Sequence, residues 1–117
     1  MTQTIIERSK WYRGKGGAES RLLREDGTMC CLGFDCIRRG IPEGELFIAP
    51  SPKSLLRSVY DPALEGLVKP APSGLPMSTD VVVEIIGIND MTLISEETRE
   101  ARLKELFEKL DTEIIFV

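Results

Sequence analysis

The sequence predicts an α+β domain, in which about four helices cover a small antiparallel sheet. The pair Asp26-Gly27 tolerates the backbone of a tight turn and predicts a β-hairpin over residues 21–30. A capped amphipathic pattern over residues 96–110 predicts the longest helix. The run at residues 113–117 is apolar on both faces, which is typical of a buried strand. We expect this strand to pair with the hairpin.

Size and proline distribution predict the organisation of the chain. With 117 residues, 42% of them hydrophobic, residues 1–117 suffice for one core, and we expect a single domain. All seven prolines lie between Pro42 and Pro76. Because proline interrupts helices and sheets, the region 41–77 is predicted to be rich in loops.

Two helices are predicted in the first 40 residues. Thr2 or Thr4 can cap a helix that runs to about Tyr12, before the glycines that start at Gly14. Residues 31–39 have a helical apolar face, and Gly40 follows in a position that suits a left-handed cap.

The remaining elements are predicted as follows. Ser51 as cap and Pro52 at the first helical position predict one short helix with an apolar side to about residue 60. Residues 62–76 are expected to be an ordered loop or a mobile flap. Residues 80–90 fit a strand or a helix, and we favour the helix. Ser95 is predicted to cap the helix at 96–110.

Charge and cysteine content limit the class of protein. The net charge is -4, yet the first 40 residues carry eight basic against five acidic side chains. This polarity favours a protein partner or self-association as a homo-oligomer, and the acidic total argues against binding duplex DNA or anionic lipid. With no apolar run of membrane-spanning length and with Glu7 and Arg8 near the N-terminus, we expect a cytoplasmic protein. The three cysteines are expected to be reduced thiols.

The chain contains no histidine, which excludes serine and cysteine catalytic triads and histidine metal sites. We therefore assign no catalytic residue, no cofactor and no metal. Cys30, Cys31 and Cys36 lack the fourth ligand that structural zinc requires. A reactive thiol stays open at Cys30 or Cys31, because a helix N-terminus favours thiolate; the alternative is a buried thiol in the core.

The segment from Trp11 to Gly17 combines two cations, flexible backbone amides and an aromatic pair. These groups can hold a phosphate and stack a base, so Trp11, Arg13, Lys15 and Arg21 are candidate ligand-binding residues. The glycine spacing matches no phosphate-loop motif. The alternative is a helix stop followed by a solvated linker, with Trp11 packed in the core.

A distinctive pattern joins Trp11, Arg13-Gly14, Asp26-Gly27 and the segment Cys30-Cys31-Leu32-Gly33. It resembles a group of small uncharacterised proteins of bacteriophages and prophages, whose signature is a Cys-Cys-Leu-Gly segment after a short hairpin. The C-terminal segments 88–90, 95–100 and 113–117 are similar as well. The resemblance implies a phage origin and a role in the host cytoplasm, and it assigns no activity or catalytic residue.

Three functions are compatible with these observations. The leading hypothesis is a non-enzymatic phage or prophage accessory protein that binds a host or phage protein, with the proline-rich region as a candidate recognition loop. The first alternative is a binder of nucleotides, other phosphate ligands or nucleic acid, and the second is a small thiol-dependent enzyme.

Overall fold

The computed structural model describes residues 1–55, 62–72 and 76–117. This part of the chain forms an α+β fold with four α-helices and two separate two-stranded sheets. In chain order the elements are β1 (Thr2–Ile6), α1 (Cys31–Arg38), α2 (Glu43–Leu46), β2 (Val68–Pro70), β3 (Pro76–Ser78), α3 (Asp80–Asp90), α4 (Glu96–Glu108) and β4 (Thr112–Phe116). Short 3-10 turns cover Arg8–Lys10, Pro52–Ser54 and Pro62–Leu64.

The first sheet pairs the two ends of the chain. β1 runs parallel to β4, with Thr2 opposite Thr112 and Ile6 opposite Phe116. The predicted N-terminal helix is therefore wrong, although the strand at the C-terminus is confirmed. Alternation explains β1: Thr4 and Ile6 are buried and Ile5 is exposed, which is the burial pattern of a strand. Four of the five residues of β1, Thr2, Thr4, Ile5 and Ile6, are β-branched and favour strands.

The predicted hairpin at 21–30 is confirmed as a turn and wrong as a pair of strands. Gly27 has the positive φ of 88°, and the amide of Arg24 donates to the Thr28 carbonyl at 2.8 Å. The Cys30 amide also donates to the Arg21 carbonyl, but the amide of Leu22 donates to Ala49 and the Leu23 carbonyl accepts from Ile48, so the flanks do not form a two-stranded ladder. The hairpin consequently does not pair with β4, and the predicted antiparallel sheet is replaced by the parallel pair β1–β4.

Three predicted helices are present as α1, α3 and α4. Gly40 follows α1 with φ of 91°, as a left-handed cap requires. The Ser95 side chain accepts a hydrogen bond from the amide of Thr98, so the predicted cap of α4 is confirmed. In α3 the helix prediction over residues 80–90 is correct, since the helix covers Asp80–Asp90. Thr79 caps α3 by accepting from the amide of Val82.

The proline-rich region contains more regular structure than its composition predicts. The antiparallel pair β2–β3 lies here, with Val68 opposite Ser78. The predicted helix at Ser51-Pro52 is only a 3-10 turn, and Ser51 makes no side-chain cap. The rest of that prediction falls on residues 56–61, which lie outside the described residues. Leu64 and Leu67 are buried and anchor this segment to the core.

The core brings α1, α3, α4 and the inner face of the parallel sheet together. The backbone of α1 lies very close to the backbone of Leu22 at Gly33, since a Cβ built there would lie 2.0 Å from the carbonyl oxygen of Leu22. No helix in the described part of the chain has the length and apolar character needed to cross a membrane. The buried hydrophobic residues include Ile6, Trp11, Leu22, Leu32, Cys36, Leu46, Leu67, Val82, Ile85, Leu103, Phe107 and Ile114.

Candidate functional site

Asn89, in the last turn of α3, fixes the segment that was predicted to bind a ligand. Its Oδ1 accepts hydrogen bonds from the indole Nε1 of Trp11 at 2.7 Å and from the amide of Cys31 at 3.1 Å. Its Nδ2 donates to the Tyr12 carbonyl, and its own carbonyl accepts from the amide of Gly14. One buried amide side chain therefore joins α3, the start of α1 and the loop after Trp11.

Trp11 belongs to the core. Its side chain is 4% exposed, and its ring stacks on Phe116 with the ring centroids 5.0 Å apart. The Arg13 guanidinium covers the ring at 4.3 Å from its centroid. An incoming base would have to displace this guanidinium. The alternative interpretation of Trp11, a packed core residue, is thus the one that the geometry favours.

Arg13 is held by neighbouring groups. Its Nε donates to a Glu96 carboxylate oxygen at 2.8 Å, and its Nη1 donates to the carbonyl of Trp11. The same carboxylate lies 3.4 Å from the buried Arg99 guanidinium, which donates to the last carbonyls of α3 at Ile88 and Asn89. The Arg99 guanidinium thus places positive charge at the C-terminal end of α3, where the helix dipole favours it.

Lys15 and Tyr12 border a shallow cleft of about 330 Å³ beside Trp11 and Arg13. Two cations lie over the half-buried Tyr12 ring: the Lys15 ammonium at 5.4 Å and the Arg24 guanidinium at 3.9 Å from its centroid. Arg24 is paired with Asp26 at 2.8 Å, so its charge is already partly neutralised. The cleft brings together Trp11, Arg13 and Lys15 of the four predicted residues.

The fourth predicted residue, Arg21, lies elsewhere. Its Nη1 donates to the carbonyls of Ala18 and Ser20, and its side chain lines a separate cleft of about 350 Å³ that also contains Glu19 and Glu25. The four predicted ligand-binding residues therefore do not converge on one site.

The candidate thiols are buried. Cys30 and Cys31 are unbridged, and 5% and 0% of their surfaces are exposed. Burial raises the pKa of Cys30 to about 11 and raises the pKa of Cys31 well above its usual value. The amide of Cys31, which would stabilise a thiolate at the start of α1, is already bonded to Asn89. The geometry thus favours the alternative interpretation, in which both are core thiols.

Asp35 is a buried carboxylate that the sequence did not single out. It accepts from the Thr4 hydroxyl, from Arg38 Nη2 and from Arg39 Nε, each at 2.8 Å. Arg38 also reaches Thr112 on β4. All of these partners belong to the chain itself. Because Thr4 lies in β1 and Thr112 in β4, the cluster locks α1 to the parallel sheet. In the described residues, no group of three Asp, Glu or Cys side chains is placed to hold a metal ion.

One edge of β1 is not paired with any other strand in the described part of the chain. The Val117 amide donates to the Ile6 carbonyl, and the Arg8 amide donates to the Val117 carbonyl. Even-numbered residues of β1 therefore direct their backbone groups at β4. Because these directions alternate along a strand, the N–H and C=O of Gln3 and Ile5 point away from β4. No other strand in the described part of the chain pairs with this edge.

The outer face of the same sheet is also uncovered. Ile5 is 55% exposed and lies opposite Ile115, which is partly exposed. Gln3 lies opposite Glu113, and both are exposed. We refer to Gln3, Ile5, Glu113 and Ile115, together with the backbone edge of Gln3 and Ile5, as the β1 edge surface. The sequence prediction missed this surface because it assigned residues 2–6 to a helix.

Comparison of the chain with protein-family models, with curated proteins and with solved structures finds no significant match.

Proposed function

We propose that this chain is a non-enzymatic phage or prophage accessory protein that binds an extended segment of a host or phage protein along the free edge of β1. The observation that carries the proposal is the unpaired edge of a parallel two-stranded sheet. The phage origin rests on the resemblance of the Cys-Cys-Leu-Gly segment at residues 30–33, and the host cytoplasm is the place of action that this origin implies.

Sheet physics supports a partner at this edge. Parallel strands are normally covered on both faces, and a sheet of two strands is marginal without further pairing. Here Ile5 and Ile115 face outward, and the edge presents a donor and an acceptor at Gln3 and at Ile5. An extended peptide can satisfy these groups by adding a third strand, with main-chain hydrogen bonds providing affinity.

The side chains of the β1 edge surface define the chemistry of the partner. Ile5 lies next to the added strand on the outer face and favours an apolar side chain there, while the exposed carboxylate of Glu113, one strand farther away on β4, favours a long basic side chain that reaches across β1. The partner segment is therefore extended, alternating and uncharged or basic. A proline at a position that must donate to β1 would prevent its binding.

Affinity purification from a host lysate tests the proposal with a matched pair of variants. Gln3→Pro removes the outward amide without removing a hydrogen bond to β4, whereas Gln3→Ala changes the side chain and keeps the amide. We expect wild type and Gln3→Ala to retain the same protein. Gln3→Pro should retain at least about tenfold less of it, because it lacks a main-chain hydrogen bond at the strand edge. Equal melting temperatures of the two variants show that the fold is intact.

Two results would contradict this proposal. Equal retention of the same protein by Gln3→Pro and wild type would place binding on another surface. The sequence suggests the region 41–77 as that surface. Dimerisation that Gln3→Pro abolishes, without any retained protein, would assign the edge to a second copy of the chain.

A phosphate ligand at the cleft beside Tyr12 is the second candidate function. The flanking Lys15 ammonium, which has no ion pair among the described residues, and the Arg24 guanidinium favour it. Titration with ATP and with a short single-stranded oligonucleotide, monitored through the tyrosine and tryptophan fluorescence, tests it. We expect Lys15→Gln to weaken such binding severalfold, and no saturable response in wild type would remove this candidate.

A further inference from the structure

A cleft of about 380 Å³ lies where the proline-rich region packs on α3. Its volume is within the range of small-molecule sites. The described residues that line it come from the 3-10 turn at residues 52–54 and the residue before it, from β3 and from α3. They are Ser51, Lys53, Met77, Ser78, Val83 and Ile86.

Two hydroxyl groups at this cleft lack partners. Among the described residues, the Oγ atoms of Ser51 and Ser78 are buried and make no hydrogen bond. Ser51 is 95% buried, since only 5% of its surface is exposed. A buried hydroxyl without a partner is destabilising, and such groups in a native fold indicate a bound group that completes them.

The other residues of the cleft define what that group is. Lys53 is exposed and makes no ion pair among the described residues, so its ammonium is free to meet an anion. Val83 and Met77 are 58% and 43% exposed, and with Ile86 they provide an apolar wall. Two hydroxyl donors and one cation beside an apolar wall match a ligand with an anionic head and a short hydrocarbon body.

We propose that this cleft binds a small amphipathic carboxylate, with the carboxylate at Ser51, Ser78 and Lys53 and the hydrocarbon part against Val83 and Ile86. This site is separate from the β1 edge surface and does not depend on the function proposed for that surface.

Amide chemical shifts in a ¹H–¹⁵N NMR titration with hexanoate and with benzoate test the assignment. We expect saturable shifts at Ser51, Ser78 and Val83, and weaker binding of acetate, which lacks the hydrocarbon part. Hexanamide and benzamide are the neutral controls, and they should bind at least about tenfold more weakly because they offer no charge to Lys53. Lys53→Gln should weaken hexanoate binding to a similar degree, whereas Lys10→Gln, remote from this cleft, should leave it unchanged.

The stability of Ser51→Ala provides a second readout. Without ligand, this variant should be as stable as wild type or more stable, because it removes a hydroxyl that has no partner; with saturating hexanoate, wild type should gain more in melting temperature than the variant. Absence of saturable shifts, equal binding of hexanamide and hexanoate, or a clear loss of stability in ligand-free Ser51→Ala would each overturn the proposal. The last result would mean that a water molecule already satisfies the hydroxyl.

Discussion

At the scale of single residues, Asn89 links three parts of the chain that are far apart in sequence. Its side chain bonds Trp11, Tyr12 and the amide of Cys31, and its carbonyl bonds Gly14 and Arg99. Nothing local in the sequence identifies such a residue, because the two groups that donate to its Oδ1 atom lie 58 and 78 positions away along the chain. The sequence could predict that Trp11 is buried, but it could not predict which group receives its N–H.

We expect Asn89→Ala to lower the free energy of unfolding by about 2–4 kcal/mol, because it leaves the Trp11 indole N–H and the Cys31 amide buried without an acceptor. Urea unfolding followed by far-UV circular dichroism measures the loss in every variant, because Trp11 is the single tryptophan of the sequence and is replaced in part of the comparison. Trp11→Phe removes the donor of the hydrogen bond between Trp11 and Asn89. The free energy of unfolding of the double variant should therefore fall by about 1 kcal/mol less than the sum of the two single losses. Strict additivity would show that the bond contributes nothing.

A close backbone contact explains why residue 33, the last residue of the Cys-Cys-Leu-Gly segment, is a glycine. The Leu22 carbonyl packs directly on α1, and a methyl group at residue 33 would lie 2.0 Å from that oxygen. Gly33→Ala should therefore destabilise the protein by about 3 kcal/mol or more.

Gly87→Ala is the matched control, since it also lies in a helix and a Cβ there has no neighbour within 4 Å. It should stabilise the fold by roughly 0.5–1 kcal/mol, because alanine is the better helix former. Thermal unfolding of both variants checks the pair, and equal effects in the two glycines would contradict the close contact at Leu22.

At the scale of elements, the sequence predicts the helices better than the strands. Caps and apolar periodicity identify α1, α3 and α4, because these signals are local. β1 is missed because Thr2 and Thr4 are both good helix caps and good strand residues, and only the distant β4 decides between the two. The turn at Asp26-Gly27 is local and is predicted, whereas Leu22 and Leu23 on one of its flanks bond to residues 49 and 48, which are distant in sequence.

α4 is also tied to the N-terminal segment by a bidentate ion pair. Arg8 Nε and Nη2 donate to Glu100 at 2.8 and 2.7 Å. This hydrogen bonding holds the pKa of Glu100 below its usual range. A carboxyl whose pKa is lower in the folded than in the unfolded chain stabilises the fold above the unfolded pKa, and this contribution is lost as the pH falls through the folded pKa.

We therefore expect Glu100→Gln to cost roughly 0.5–1 kcal/mol at pH 7 and to cost progressively less as the pH falls below the usual range of a glutamate pKa and the wild-type carboxylate takes up a proton. Urea unfolding at a series of pH values measures this difference. Glu105→Gln, on an exposed position of the same helix, is the control and should show little pH-dependent difference. A cost of Glu100→Gln that is constant from pH 7 to pH 2 would contradict a role of the charge.

At the scale of the whole molecule, β1 and β4 bring residues 2–6 and 112–116 together in one parallel sheet, and among the described residues no further strand pairs with its β1 edge. The basic surplus of the first 40 residues does not form one anion site, since Arg13, Arg24, Arg38 and Arg39 are engaged by Glu96, Asp26 and Asp35. Composition could predict the polarity of the chain, but it could not predict this internal neutralisation. The edge of β1 stays open, and there backbone rather than side-chain chemistry is available to a partner.

Hydrogen exchange of the β1 amides tests the central claim most directly. In the free protein, the amides of Gln3 and Ile5 should exchange fast because they point away from β4, while those of Thr4 and Ile6 should be protected by the ladder. When the protein retained by wild type is added, the amides of Gln3 and Ile5 should become protected by at least about tenfold, as a third strand would bond them. Slow exchange of both amides in the free protein, or unchanged fast exchange in the complex, would contradict binding at this edge.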